Sequence, residues 1–112
     1  RKAGMSKADF KTYYENNHRH IGEKYLKGYA SHYERRYVCP SDPDTQYGNE
    51  PGFDVLMEIW FPNQPAMQTA MTALAQPAAQ AEVLADEEQL FDRSKTVSFV
   101  VDEVASIMPK LK

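Results

Sequence analysis

The sequence predicts an α+β domain with the element order helix, strand, strand, helix, strand. Three observations carry this reading: a capped helix start at residues 5–10, a run at residues 53–61 whose alternate positions are all apolar, and a second alternating run at residues 96–104 that follows a helical stretch.

The first helix is set by its own ends. Ser6 is placed to accept from the amide three residues on, Asp9 stands where a reciprocal capping partner belongs, and Met5 and Phe10 occupy the two positions of a hydrophobic staple, so the helix starts at Lys7. Counting from Phe10, helical spacing turns Tyr14, Asn17, His18, Ile21 and Tyr25 inward, which places an imidazole on the apolar face among aromatics. The helix runs to about Lys27, and Gly28 ends it. Residues 31–39 follow as a strand with Tyr33, Arg35 and Tyr37 on one parity and His32, Glu34, Arg36 and Val38 on the other, stopped by Pro40. The polar, proline-bearing stretch from Ser41 to Gly52 reads as an exposed connection.

The second strand, residues 53–61, puts Phe53, Val55, Met57, Ile59 and Phe61 on one face and Asp54, Leu56, Glu58 and Trp60 on the other. A helix then begins near Asn63 or Pro65, with Met67, Ala70, Met71 and Leu74 as its inner stripe. Pro77 interrupts it, and residues 78–91 form a further helical segment with Ala81, Leu84, Glu88 and Phe91 at helical spacing. In the last strand, residues 96–104, Val97, Phe99, Val101 and Glu103 alternate with Thr96, Ser98, Val100 and Asp102, and Pro109 begins a frayed tail.

This order is a ferredoxin-like split βαβ unit with an antiparallel sheet, lacking its opening strand. The missing strand would lie centrally, so an apolar strand of about six residues is expected ahead of Arg1. Both helices cover the face floored by residues 53–61. The opposite face, with Leu56 and Trp60 beside Asp54 and Glu58, either stays in water, as faces of antiparallel sheets often do, or is buried against a second copy. The expected assembly is the second, a two-fold homodimer through that face.

Composition bounds the partners. At 112 residues the chain is one domain, residues 1–112, with room for a single core. Thirteen basic against sixteen acidic side chains and a net charge of −3 argue against nucleic acid and anionic membranes. The single cysteine, Cys39, excludes an internal disulfide, and no apolar run approaches a membrane span, which fits a cytoplasmic protein. His18 and His20, two residues apart on a helix, diverge by ~200° and cannot chelate one ion, so neither a metal nor another cofactor is expected. Seven tyrosines and five methionines suit either an ordinary core or the lining of a cavity for a flat, partly polar ligand.

The run Arg1-Lys2-Ala3-Gly4-Met5-Ser6 with Phe10, Tyr13-Tyr14 and His18 resembles the opening of the EthD family. Phe53-Asp54 leading to Glu58-Ile59-Trp60-Phe61, and Ala85-Asp86-Glu87-Glu88 with Leu90-Phe91-Asp92, resemble its later motifs. The resemblance covers nearly the whole chain and implies ferredoxin-like subunits paired through their sheets as a dimeric α/β barrel. It also implies a cofactor-independent lyase or isomerase, acting as dehydratase, cyclase or decarboxylase on aromatic polyketide-like phenolic intermediates. In the related methylmuconolactone methylisomerases a histidine on the first helix and a tyrosine on the next strand act in catalysis, and these resemble His18 and Tyr33. Ile59 stands where those enzymes carry a cysteine, which argues against an intact isomerase chemistry here.

The expected catalytic pair is therefore His18 as base and Tyr33 as donor to a developing enolate oxygen. Tyr14, Arg35, Ile59, Phe61, Met71, Asp86 and Phe91 are the expected substrate contacts around them. Burial among Phe10, Tyr14 and Phe91 lowers the basicity of His18, and a carboxylate such as Asp86 raises it; sequence leaves the balance open. Two other function classes are compatible with an inward histidine: a cofactor-independent monooxygenase or haem-binding barrel, and a non-catalytic protein that shields an aromatic ligand.

Overall fold

The computed structural model describes residues 1–39 and 51–111. Its elements are α1 (Lys7–Tyr13), a π-helical turn (Tyr14–His18), α2 (Arg19–Leu26), β1 (His32–Tyr37), β2 (Val55–Trp60), α3 (Gln64–Leu74), α4 (Pro77–Leu90) and a 3-10 turn (Arg93–Lys95). Since α1, the π turn and α2 form one rod, the described residues make an α+β unit of three helices and a two-stranded antiparallel sheet. The connection expected from Ser41 lies, apart from Pro51 and Gly52, outside the described residues.

The helix ends obey their local chemistry. Ser6 accepts from the Asp9 amide at 3.0 Å, Met5 packs on the Phe10 core, and Asn63 caps α3 by accepting from the Ala66 amide at 2.8 Å. Gly28, at φ +87°, makes the turn out of α2, a left-handed conformation that glycine adopts without a Cβ clash. Pro77 opens α4 at a position where its missing N–H costs no hydrogen bond.

The first rod departs from simple α periodicity. Four α steps overshoot one turn by ~40°, so a stripe spaced strictly by four would wind off its face. Yet Phe10, Tyr14, His18 and Leu26 are all buried, and Gly22 completes the four-residue spacing against Tyr33. The π turn resolves this: its wider i→i−5 bond, from the Arg19 amide to the Tyr14 carbonyl, takes in one extra residue and brings the phase back. Side chains satisfy carbonyls along it, with Asn17 Nδ2 donating to Tyr13 and Arg19 Nε donating to Glu15. The inward set after the turn is thus His18, Gly22 and Leu26. Asn17, expected inside, is exposed, and Tyr25, half-buried, lends its phenol to Glu82 at 2.6 Å between α2 and α4.

In the sheet, Tyr33 pairs with Ile59, Arg35 with Met57 and Tyr37 with Val55 on the helix side, and the helices cover the floor expected over residues 53–61 only in part, since Phe53 and Met57 are 54% and 43% exposed. His32 opposite Trp60, Glu34 opposite Glu58 and Arg36 opposite Leu56 form the other side, where the His32 and Trp60 rings stand 4.8 Å apart and Arg36 bridges Glu34 and Glu58. Phe10, Tyr14 and Leu90 are the fully buried centre, joined by Tyr37, Val55, Phe91, Met5 and Tyr13. The rings of Phe10, Tyr37 and Phe91 surround Tyr14 at 5.7–6.0 Å, largely edge to face. The first residues are tied in by the Lys2 amide, which donates to the Leu90 carbonyl, and by the Arg1–Asp54 ion pair at 3.1 Å.

Three expectations are corrected. Residues 96–104 form no strand, and their apolar side chains are exposed; in a split βαβ sheet this segment pairs with the central opening strand, and no such strand stands among the described residues. In α4 the inward positions are Ala79 and Leu90 with Val83 and Asp86 half-buried between them, whereas Ala81 and Glu88 are exposed, because the helix packs through the face that holds Ala79, Val83, Asp86 and Leu90. In α3 only Ala70 is fully buried, and Met71 turns outward at 43% exposure.

Candidate active site at His18 and Asp86

The π turn aims His18 at α4, and the winding of α4 from Pro77 aims Asp86 back. They meet with His18 Nδ1 and Asp86 Oδ2 2.8 Å apart, in a pair whose side chains keep only 10% and 14% of their surface. Asp86 accepts through its other oxygen as well, from the Tyr13 hydroxyl at 2.6 Å. A carboxylate has no proton to give, so the Nδ1–H of His18 donates and the ring is held as the tautomer whose Nε2 carries a lone pair. Nε2 has no hydrogen-bond partner among the described residues. The ring is gripped by near-perpendicular contacts with Tyr14 at 5.2 Å and Phe91 at 5.4 Å. The bond to Asp86 pushes the Tyr13 phenol up to about 12, so it stays a donor.

Tyr33 faces the helices from β1, and its hydroxyl lies 3.5 Å from that of Tyr14. Burial raises both phenols, that of Tyr14 well above the ordinary tyrosine range, so both stay neutral and can donate a hydrogen bond. Arg35 is committed locally: Nη2 and Nε donate to the two oxygens of Glu15 at 2.8 and 3.0 Å, and its guanidinium stacks 4.9 Å from the Tyr33 ring centre. Tyr37 adds a third donor to Glu15 at 2.5 Å, and these bonds, Arg35 foremost, hold the Glu15 carboxyl down to about 2.

Of the expected site residues, the structure gathers His18, Tyr14, Tyr33, Asp86 and Phe91, with Arg35 behind Tyr33 and Ile59 beside it in register. Phe61 lies half-buried just past β2, and Met71 is turned outward. Tyr14 is fully buried and fills the space beneath the rod, and His18, buried as well, lies against it. A groove of about 460 Å³ does exist, between Tyr29 and the α3 residues Pro65, Gln68, Thr69, Thr72 and Ala73, but no expected site residue lines it. Sequence reasoning missed Tyr13, Glu15 and Gly22. The doubled aromatic Tyr13-Tyr14 was the signal for the first, and a glycine inside a helix was the signal for the last. Among the described residues no three His, Cys, Asp or Glu side chains converge as a metal set.

A small α+β sheet protein with a histidine–carboxylate pair lodged between its helices is the class that this geometry defines. The EthD domain pattern matches residues 2–94, and the chain belongs to the EthD domain family. Neither the curated proteins nor the solved structures contain a match to it. Among the described residues no helix is long and apolar enough to cross a membrane.

Proposed function

We propose that the protein is a cofactor-independent lyase or isomerase that moves a proton on a flat phenolic, polyketide-like substrate. The observation that carries this reading is the His18–Asp86 pair: Nδ1 is held by the carboxylate, and Nε2 has no hydrogen-bond partner among the described residues. Nε2 takes an acidic C–H proton next to or conjugated with a carbonyl, and the C–H electron pair moves to the carbonyl oxygen as an enolate. The neutral phenol of Tyr33 donates a hydrogen bond to that oxygen. The imidazolium, stabilised by Asp86, then returns the proton to another carbon, giving the tautomer, or to a departing hydroxyl, giving water and the dehydrated ring. Phe91 and Ile59 offer apolar surface to the rings, and Arg35 braces Tyr33.

The same reading takes the active form to be a ferredoxin-like dimeric α/β barrel. Its support is the exposure of Leu56 and Trp60, 40% and 38%, on the sheet side that no helix covers. Native mass spectrometry is expected to give a dimer that Trp60→Glu dissociates, and a monomeric native chain would refute the assembly.

The test of the chemistry is exchange of the methylene protons of anthrone in D2O, followed by NMR. The native chain accelerates exchange, and His18→Ala loses the acceleration while retaining its fold by circular dichroism. Equal exchange by both proteins would refute the reading, and anthrone binding without any accelerated exchange would favour the shielding role instead.

A further inference from the structure

We propose that Gly22 is a positioning residue: the side-chain gap it leaves in α2 is the seat of the Tyr33 phenol, one helical turn beyond His18. The catalytic part of this inference rests on the proton-transfer reading above; the seating itself does not.

Gly22 lies within α2, where glycine is the least favourable residue after proline, so its presence asks for a compensating reason. Conformational freedom is not that reason, since the positive-φ glycines are Gly4 and Gly28. Space is. A Cβ built on Gly22 would fall 2.6 Å from the Tyr33 hydroxyl oxygen and 2.7 Å from its Cζ and Cε2, separations that carbon atoms do not tolerate. The polar end of the phenol is therefore pressed against the bare backbone of the helix.

Relief by moving Tyr33 is blocked, because β1 holds its backbone opposite Ile59, the guanidinium of Arg35 stacks on its ring, and Tyr14 stands at its hydroxyl. Gly22 follows His18 by four residues on the same side of the rod. One stripe of the helix thus presents the base from one turn and seats the donor under the next. Any side chain at position 22 displaces the donor and leaves the base in place, which makes this position the determinant of where the enolate oxygen must lie.

The experiment compares the native chain, Gly22→Ala, Tyr33→Ala and the double variant. Thermal melts test the seat without reference to catalysis. Gly22→Ala lowers the melting temperature when Tyr33 is present and raises it in the Tyr33→Ala background, where only the gain in helix propensity remains. A Gly22→Ala change of the same sign in both backgrounds would overturn the seat. Anthrone exchange then tests the positioning: Gly22→Ala lowers kcat about tenfold or more, to the level of Tyr33→Phe, with KM nearly unchanged. Adding Gly22→Ala to Tyr33→Phe costs little further. A native rate in Gly22→Ala would overturn the positioning role even if the melts reversed sign. If the native chain itself catalyses no exchange, the 13C signal of the Tyr33 Cζ decides: a shift in Gly22→Ala supports the seat, and an unmoved signal overturns it.

Discussion

His18 and Asp86 stand 68 positions apart in the chain and on different helices, yet their side chains close to 2.8 Å. The π turn ends on His18, and α4 carries Asp86 on the face where Ala79 and Leu90 are buried. The pair is a product of helix phase on both sides.

Replacing Asp86 by Asn keeps the shape and removes the charge, and an amide can donate to Nδ1, which places the imidazole proton on Nε2 where the base must be empty. Proton exchange on anthrone is expected to fall by about 10²-fold or more in Asp86→Asn. Tyr13→Phe removes only the second bond to the carboxylate. It is expected to cost about 1 kcal/mol of stability in a chemical melt and about tenfold or less in rate.

Acid stability follows from Glu15. Its carboxyl is ordinarily protonated near 4.5 and in the folded chain near 2, chiefly because Arg35 donates to it. A depressed folded value means that the unfolded chain takes up the proton first. The contribution is therefore complete above about 4.5 and is lost as pH falls toward 2. Glu15 keeps 32% of its side-chain surface, so solvent screens part of the effect. Melting temperatures at pH 3 and pH 7 are expected to differ more in the native chain than in Glu15→Gln, which carries no charge to lose.

Much of the fold was legible in the residues. Ser6, Asn63 and Pro77 mark helix starts by chemistry local to each site, and the parity of Tyr33, Arg35 and Tyr37 needs only the period of a strand. The inward set of the first rod was half legible: α spacing from Phe10 gives Tyr14 and His18, which the structure buries, but also Asn17, Ile21 and Tyr25, and one extra residue in the π turn puts Gly22 and Leu26 inward instead of the last two. That residue is hard to see, because the donors that stabilise the turn, Asn17 and Arg19, are ordinary helix-surface types. The approach of Asp86 to His18 was legible only as one of two alternatives, because Asp86 sits in an acidic run whose burial depends on tertiary packing. The expected strand at residues 96–104 has sound β chemistry and no neighbouring edge.

The π turn makes a prediction of its own. Deleting the exposed residue Asn16 turns the rod into a regular α-helix, and its stripe still runs through Phe10, Tyr14, His18, Gly22 and Leu26 at α spacing. That deletion is expected to fold, with anthrone exchange within about tenfold of native. Deleting Glu23, equally exposed, leaves the π turn in place and rotates the rod beyond it by ~100°, which takes Lys24 and Tyr25 away from Glu82, and is expected to lower the melting temperature far more. Circular dichroism melts of the two deletions distinguish these outcomes.

The most direct measurement of the central claim is the tautomer of His18, read from two-bond 15N–1H correlations of the ring at a pH where the imidazole is neutral. The expected spectrum has the proton on Nδ1 and an unprotonated Nε2, and in Asp86→Asn it changes to the Nε2–H form. A native His18 already protonated on Nε2, with a spectrum unmoved by Asp86→Asn, would contradict the account.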